Sequence, residues 1–197
     1  EINKAFKAEV KEVDVSNRND NPPIPFDTTE FIKAANAIGF DAKPAMSIAE
    51  ELYDNGYITY PRTDNTVYPN DLSIRDRIQT LAGKRDFRDS AQSLLDSESL
   101  SPTRGDEETT DHPPIHPTNS MPNKNSLGDD EWEVYELVVR RFFATVAEAA
   151  VWERTRVDID AGGNLLKTSG KELVSAGYHS VYPYFDTEES TVPDVEE

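Results

Sequence analysis

Tyr60 stands two residues before Arg62 in the stretch Gly56-Tyr57-Ile58-Thr59-Tyr60-Pro61-Arg62-Thr63-Asp64. A phenol beside a fixed guanidinium suits attack on a phosphodiester. The phenol becomes the covalent anchor, and the arginine stabilises charge developing on the phosphate. A free phenol has a pKa of ~10, so at neutral pH it needs a base or a positive field. A phosphotyrosine also has a better leaving group than an alkyl phosphate ester. The bond energy is kept, and the displaced hydroxyl can reverse the step without ATP. By spacing alone, Tyr-x-Arg is also an ordinary strand with a surface arginine, which is the commoner case.

The elements around this stretch can hold it still. Asp27 and Glu30 form a helix start. Phe31, Ile32, Ala35 and Ile38 form its apolar stripe, and Gly39 stops it. Pro44 suits the first turn of a second helix. Ala45, Ile48, Ala49 and Leu52 follow at helical spacing, and Asn55-Gly56 ends it. The chain then runs extended through Tyr57 to Tyr60, and Pro61 biases Tyr60 away from helix. Further helices are marked by Ile74, Ile78 and Leu81, and by Phe87, Ala91, Leu94 and Leu95. Residues 96–129 form a long polar loop, of the kind that is often functional. Trp132, Tyr135, Val139, Phe142, Val146 and Ala149 give the strongest helical stripe.

Both ends of the chain read as β. Phe6 to Val15 alternate with a phase slip, as a strand with a bulge or two short strands would. Ser16 to Pro25 reads as a polar connector. Period two returns from Val151 through Thr155, Val157 and Ile159. Ala161-Gly162-Gly163-Asn164 then makes a hairpin turn, with Leu165 to Ser169 returning. The end strands are expected to pair with each other across the helical middle. Tyr178 to Pro183 reads as sheet edge or loop. Tyr178, Tyr182, Tyr184 and Phe185 offer either a base-stacking platform or, more commonly for such a run, plain packing.

Other charged groups are weaker candidates. His112 and His116 have metal-ligand spacing for a helix, but Pro113 and Pro114 oppose a helix there and no third ligand is evident. Asp106-Glu107-Glu108 reads as a solvated acidic run rather than a Mg²⁺ site. Asp64 reads as an orienting group. Arg140, Arg141, Arg154 and Arg156 suit either DNA backbone or nearby carboxylates. No cysteine is present, so disulfides and cysteine zinc sites are excluded within these 197 residues. No apolar run approaches the ~20 residues of a membrane span.

Charge argues against the chemistry just described. Asp plus Glu total 38 against 20 Lys plus Arg, a net charge of −18. Domains that bind nucleic acid are usually basic. Molar salt removes the conflict, because at 1 M the Debye length is about 3 Å and only touching contacts matter. Acidic residues spread along the chain, few lysines and no cysteines fit a halophilic source. With 36% hydrophobic residues and amphipathic helices, the composition is not that of a disordered acidic chain.

Ala49 to Asp64 closely resembles the active-site segment of type IA DNA topoisomerases. Asp111-His112-Pro113-Pro114-Ile115-His116-Pro117-Thr118 resembles the histidine motif of the archaeal topoisomerase I branch. Pro23-Ile24-Pro25-Phe26-Asp27-Thr28-Thr29 resembles the family's entry into the tyrosine domain. The three occur in family order, and the resemblance covers roughly Pro23 to Phe185. It implies Tyr60 as nucleophile, Arg62 as phosphate stabiliser and His112 as a DNA-phosphate contact, while Thr118, which ends the same motif, suits a turn-forming role as well as a DNA contact. Pro61 stands where many bacterial members carry Met, and Asn65 where Ser often closes the motif. Neither change removes a group the reaction needs.

The resemblance further implies an α+β, multi-domain fragment. A helical active-site tyrosine domain, residues 26–149, is inserted into a β-rich arch domain made of residues 1–25 and 150–197. The start at Glu1 and the acidic end at Glu197 fit a piece cut from a longer protein. The family's Mg²⁺-binding Toprim module, with its Asp-x-Asp-x-Glu pattern, is not found here, so Mg²⁺ belongs to the full-length parent and no metal to this piece. The expected parent is a cytoplasmic monomer without membrane attachment. It acts on single-stranded regions of negatively supercoiled DNA and relaxes them through a 5′-phosphotyrosine link, while the piece alone is inactive. The alternatives are a non-catalytic DNA-binding or protein-interaction module of the same shape, or the topoisomerase half of a reverse gyrase.

Overall fold

The computed structural model describes residues 8–97, 99–184 and 187–192. Phe6 and Phe185 therefore lie outside the described residues. The chain divides into two compact units, each taken by itself below. One comprises Pro22–Glu148 and Tyr178–Tyr184; the other comprises Glu1–Asn21, Ala149–Gly177 and Phe185–Glu197. The expected boundaries fell at 25/26 and 149/150. The segment Tyr178–Tyr184, expected with the strands, goes with the helices, because Tyr178, Val181 and Tyr182 are buried there.

In the helical unit, α1 spans Thr28–Ala37 and α2 spans Ala42–Asp54. Asp27 caps α1 by accepting the Glu30 N–H at 2.7 Å. Ile38 and Gly39 close it, and Gly39 has a φ of 101°. Then come α3 (Ile74–Ala82), α4 (Arg88–Leu95) and α5 (Asp129–Ala144). The Glu131 carboxylate accepts from the Gly128 N–H at 2.7 Å, fixing the start of α5. α5 packs on α1, α2 and α4. It buries 10 of its 16 residues, among them Trp132, Tyr135, Phe142 and Phe143, so the expected core helix is found, but it ends at Ala144, and Val146 and Ala149, read as part of its stripe, lie beyond it. Phe87 lies 5.7 Å from Trp132 in a near-parallel stack and edge-on to Phe143.

In the sheet unit, β1 (Glu9–Asp20), β2 (Ala150–Ala161) and β3 (Asn164–Ser175) form an antiparallel sheet in the order β1-β2-β3. β1 and β2 pair from Glu9↔Asp160 to Asp20↔Ala150, so the strands from the two ends of the chain do meet. The register shifts between Val10 and Glu12, which places the expected bulge. Two expectations need correcting. β1 runs on to Asp20, through residues read as a connector, because their backbone pairs although their side chains are polar. β3 runs to Ser175, past the expected Ser169. Of the two readings of Tyr178 to Pro183, sheet edge or loop, the loop holds: Tyr178 lies in a short 3₁₀ turn, Gly177–Ser180.

Candidate active site

Tyr60 leaves α2 by a short path. Gly56, at a φ of 75°, turns the chain, and its N–H donates to the Tyr53 carbonyl at 2.7 Å. Ile58 then bridges Pro117 in an antiparallel contact. The Thr59 N–H donates to the His116 carbonyl at 3.0 Å, and the Thr59 hydroxyl donates to the Pro114 carbonyl at 2.8 Å. The strand carrying the phenol is thus laced to the strand carrying the histidines. α1 secures the far side. The Thr28 hydroxyl donates to the Pro61 carbonyl at 2.8 Å, the Thr28 N–H donates to the Thr63 carbonyl, and the Thr63 N–H donates to the Thr28 side-chain Oγ1, the last two both at 2.9 Å.

The Tyr60 ring is half-buried between two others. His112 lies 4.7 Å away, centre to centre and tilted, and Tyr53 lies edge-on at 5.1 Å. Tyr53 remains 41% exposed, so an aromatic face stays open beside the phenol. A cleft of about 400 Å³ adjoins the group, lined in part by Thr28, Arg62, Thr63, Asp64 and His112. The family resemblance of the tyrosine and histidine motifs implies Tyr60, Arg62 and His112, and the fold brings them to one place.

Arg62 has a partner that the spacing did not reveal. Its Nε and Nη2 donate to Glu50 Oε1 at 2.8 and 2.5 Å. Glu50 sits on α2, twelve residues earlier. The only sequence signal was its position one helical turn before Tyr53 on the same helix. Both partners are well exposed, so the pair is easily opened.

His116 takes no part in the cleft. It is buried, with Nδ1 2.9 Å from the Pro117 carbonyl and its ring against Tyr68 and Phe142. A carbonyl accepts, so Nδ1 carries the proton. Burial drives its pKa down to about 4, slightly helped by Arg77 and opposed by the Pro117 bond, so the ring is neutral at pH 7. His112, four residues earlier, is exposed. Thr118 donates its hydroxyl to the Gly56 carbonyl at 2.5 Å and its N–H to Tyr57 O at 2.9 Å. Its bonds tie off the turn before Tyr60.

The remaining candidates resolve on geometry. Arg141 is 5% exposed, donates to the Ile24 carbonyl at 2.8 Å and lies over the Phe26 ring, so it is a core group. Arg140 is tied to Glu136 at 2.6 Å and to the Val181 carbonyl. Tyr178 and Tyr182 are 3% and 2% exposed, which removes them from any stacking surface. In the polar loop, Glu108 pairs with Arg104, and the Glu107 carbonyl accepts from the Thr66 N–H at 2.8 Å. Gly105 packs so closely that a Cβ there would meet Thr66 Oγ1 at 2.3 Å. Among the described residues, no three His, Asp or Glu side chains gather as a metal site would require. No helix among them is long and apolar enough to cross a membrane.

Comparison with known proteins places this geometry. The profile of the DNA topoisomerase family matches residues 1–197. DNA topoisomerase 1 of Archaeoglobus fulgidus is 45% identical over 186 residues, covering 94% of this chain and 28% of that protein. Human DNA topoisomerase 3-alpha is 34% identical over 172 residues, covering 87% of this chain and 17% of its own length. In fold, full-length topoisomerase I from Thermotoga maritima matches with a TM-score of 0.71 at 24% identity, over 96% of this chain and 32% of that one. The chain belongs to the DNA topoisomerase family, in its type IA class. It spans less than a third of the length of each of these relatives.

Proposed function

We propose that this chain carries the nucleophile of a type IA topoisomerase of the archaeal topoisomerase I branch. The Tyr60 oxygen attacks a DNA phosphorus. A Tyr60 O–P bond forms as the P–O3′ bond breaks, leaving the 5′ phosphate on the protein. The phenolic proton is balanced by the proton the released 3′ oxygen takes up. The reverse attack reseals the strand after passage, so negative supercoils relax without ATP. The observation that carries this reading is the Tyr60–His112 ring contact of 4.7 Å beside a cleft that Arg62 lines. Arg62 stabilises the phosphate once it leaves Glu50, and His112 steadies the same phosphate. Thr118 supports the turn and contacts DNA secondarily.

The helical unit is the tyrosine domain and the sheet unit is the arch into which it is inserted. Mg²⁺ would be held by a Toprim module elsewhere in the parent. The parent acts as a cytoplasmic monomer on single-stranded regions of DNA, and this chain alone is inactive.

The test is trapping. The full-length protein, with Mg²⁺, molar KCl and labelled single-stranded DNA, should form a covalent adduct that disappears in Tyr60→Phe. An adduct that survives this change sinks the assignment of Tyr60. No adduct with the native protein favours a binding module instead, a reading that the closed Arg62–Glu50 pair supports. A net charge of −18 supports a source that lives in concentrated salt. Unfolding should be harder at 2 M than at 0.1 M KCl, and the opposite order would remove the halophilic assignment.

A further inference from the structure

We infer that Asn65 is a positioning residue that sets His112 against Tyr60. The inference rests on the proposed roles of Tyr60 and His112. Asn65 is 4% exposed, and every polar atom of its amide is used. Nδ2 donates to the Thr109 carbonyl at 2.8 Å and to the His112 carbonyl at 3.0 Å. Oδ1 accepts the Val67 N–H at 2.9 Å, which fixes which end of the amide is which. Thr63 supplies the second donor to the His112 carbonyl, at 3.2 Å, and its hydroxyl accepts the Asn65 N–H at 3.1 Å.

The location of these bonds gives them meaning. The histidine strand is pinned downstream of His112, through Ile115 N–H to Phe26 O and through Thr59 to Pro114 and His116. His112 is exposed and lies before the first of these pins. Its backbone is held by Thr63 and Asn65, three and five residues after the nucleophile. The same short segment therefore carries the phenol and grips the loop that presents the imidazole. A serine at 65 has one hydroxyl hydrogen and cannot serve both carbonyls. An aspartate would set a carboxylate against two carbonyl oxygens.

The test reads the position of His112 directly and uses the full-length protein with ¹³C-labelled histidine. His112→Gln identifies the His112 ring signal, and Tyr60→Ala shows how far the neighbouring ring displaces it. Asn65→Leu should move that signal toward its Tyr60→Ala position while the His116 signal stays in place. It should also slow formation of the covalent DNA adduct on the order of 10- to 100-fold, with little change in Kd for the same DNA. An unmoved His112 signal, or an unchanged adduct rate, overturns the inference. Should the His116 signal also move, the fold has been disturbed, and Thr63→Val decides. That change removes one of the two donors and should give a smaller displacement of the same sign; no displacement overturns the inference. An adduct that persists in Tyr60→Phe would refute the nucleophile assignment alone, because the ring signal still reports whether Asn65 places His112.

Discussion

The helical unit and the sheet unit are held together by different means. α5 is surrounded by side chains, and Phe26, Phe31, Phe87, Phe142 and Phe143 are all 1% exposed or less. Along β3 only Gly170 is buried, and along β2 only Ala150, Val157 and Ala161. Val15, Leu165 and Val174 are 55%, 58% and 60% exposed. The sheet depends on its backbone ladder, which tolerates almost any side chain. The helical unit depends on close packing, which tolerates few changes. Tyr60 sits in the second kind of structure, where a backbone can hold a phenol and an imidazole in register.

Core truncation should separate the units most sharply. Phe142→Ala removes a ring packed on Tyr68 and His116 and should cost about 3–5 kcal/mol in denaturant unfolding. Val157→Ala, in the sheet, should cost about 1–2 kcal/mol. Equal losses would erase the distinction drawn above.

Acid should weaken the helical unit next. His116 is held neutral when folded, with a pKa near 4, against about 6.5 unfolded. Between these values the unfolded chain binds more protons, so stability falls as pH drops from about 6.5 to 4 and levels off below. The loss over that window is on the order of 3 kcal/mol. His116→Gln should remove this part of the acid sensitivity, read as the difference between the two proteins at pH 7 and pH 5. Parallel pH curves would show that His116 is not the source.

Glu50→Gln should leave stability within about 0.5 kcal/mol, because the pair it breaks is exposed. It frees Arg62 and should tighten single-stranded DNA binding a few-fold at 0.1 M KCl, with the gain vanishing at 2 M. Unchanged affinity at low salt would mean that Glu50 does not compete with phosphate. The smallest effect belongs to the sheet surface. Val15→Thr should alter unfolding by less than about 0.5 kcal/mol, and a larger loss would reveal packing on that face.

The sequence made the helices legible through their punctuation: Asp27 capping, Gly39 and Gly56 stopping, and the apolar stripe from Trp132 to Phe142. It exposed the hairpin through Gly162-Gly163. It hid the second half of β1, because Ser16 to Asp20 pair through backbone and carry no alternation to read. Tyr178 and Tyr182 misled because aromatic residues suit a core as well as a strand. At the site, the likeness of two motifs to a known family pointed to Tyr60, Arg62 and His112, where spacing alone did not. That likeness could not show Glu50 or Asn65, whose partners are set by how a helix and a loop fold back on the tyrosine segment.

The bonds that assemble this site join residues far apart in the chain. Thr63 meets His112 across 49 positions, Thr28 meets Thr63 across 35, and Thr59 meets Pro114 across 55. Contacts between distant residues form only after the intervening chain has closed, and they slow folding. The reactive arrangement is therefore a late product of folding. A nascent or partly unfolded chain carries the Tyr60 phenol without its companions, so the Tyr60–His112 pairing arrives only with the completed fold.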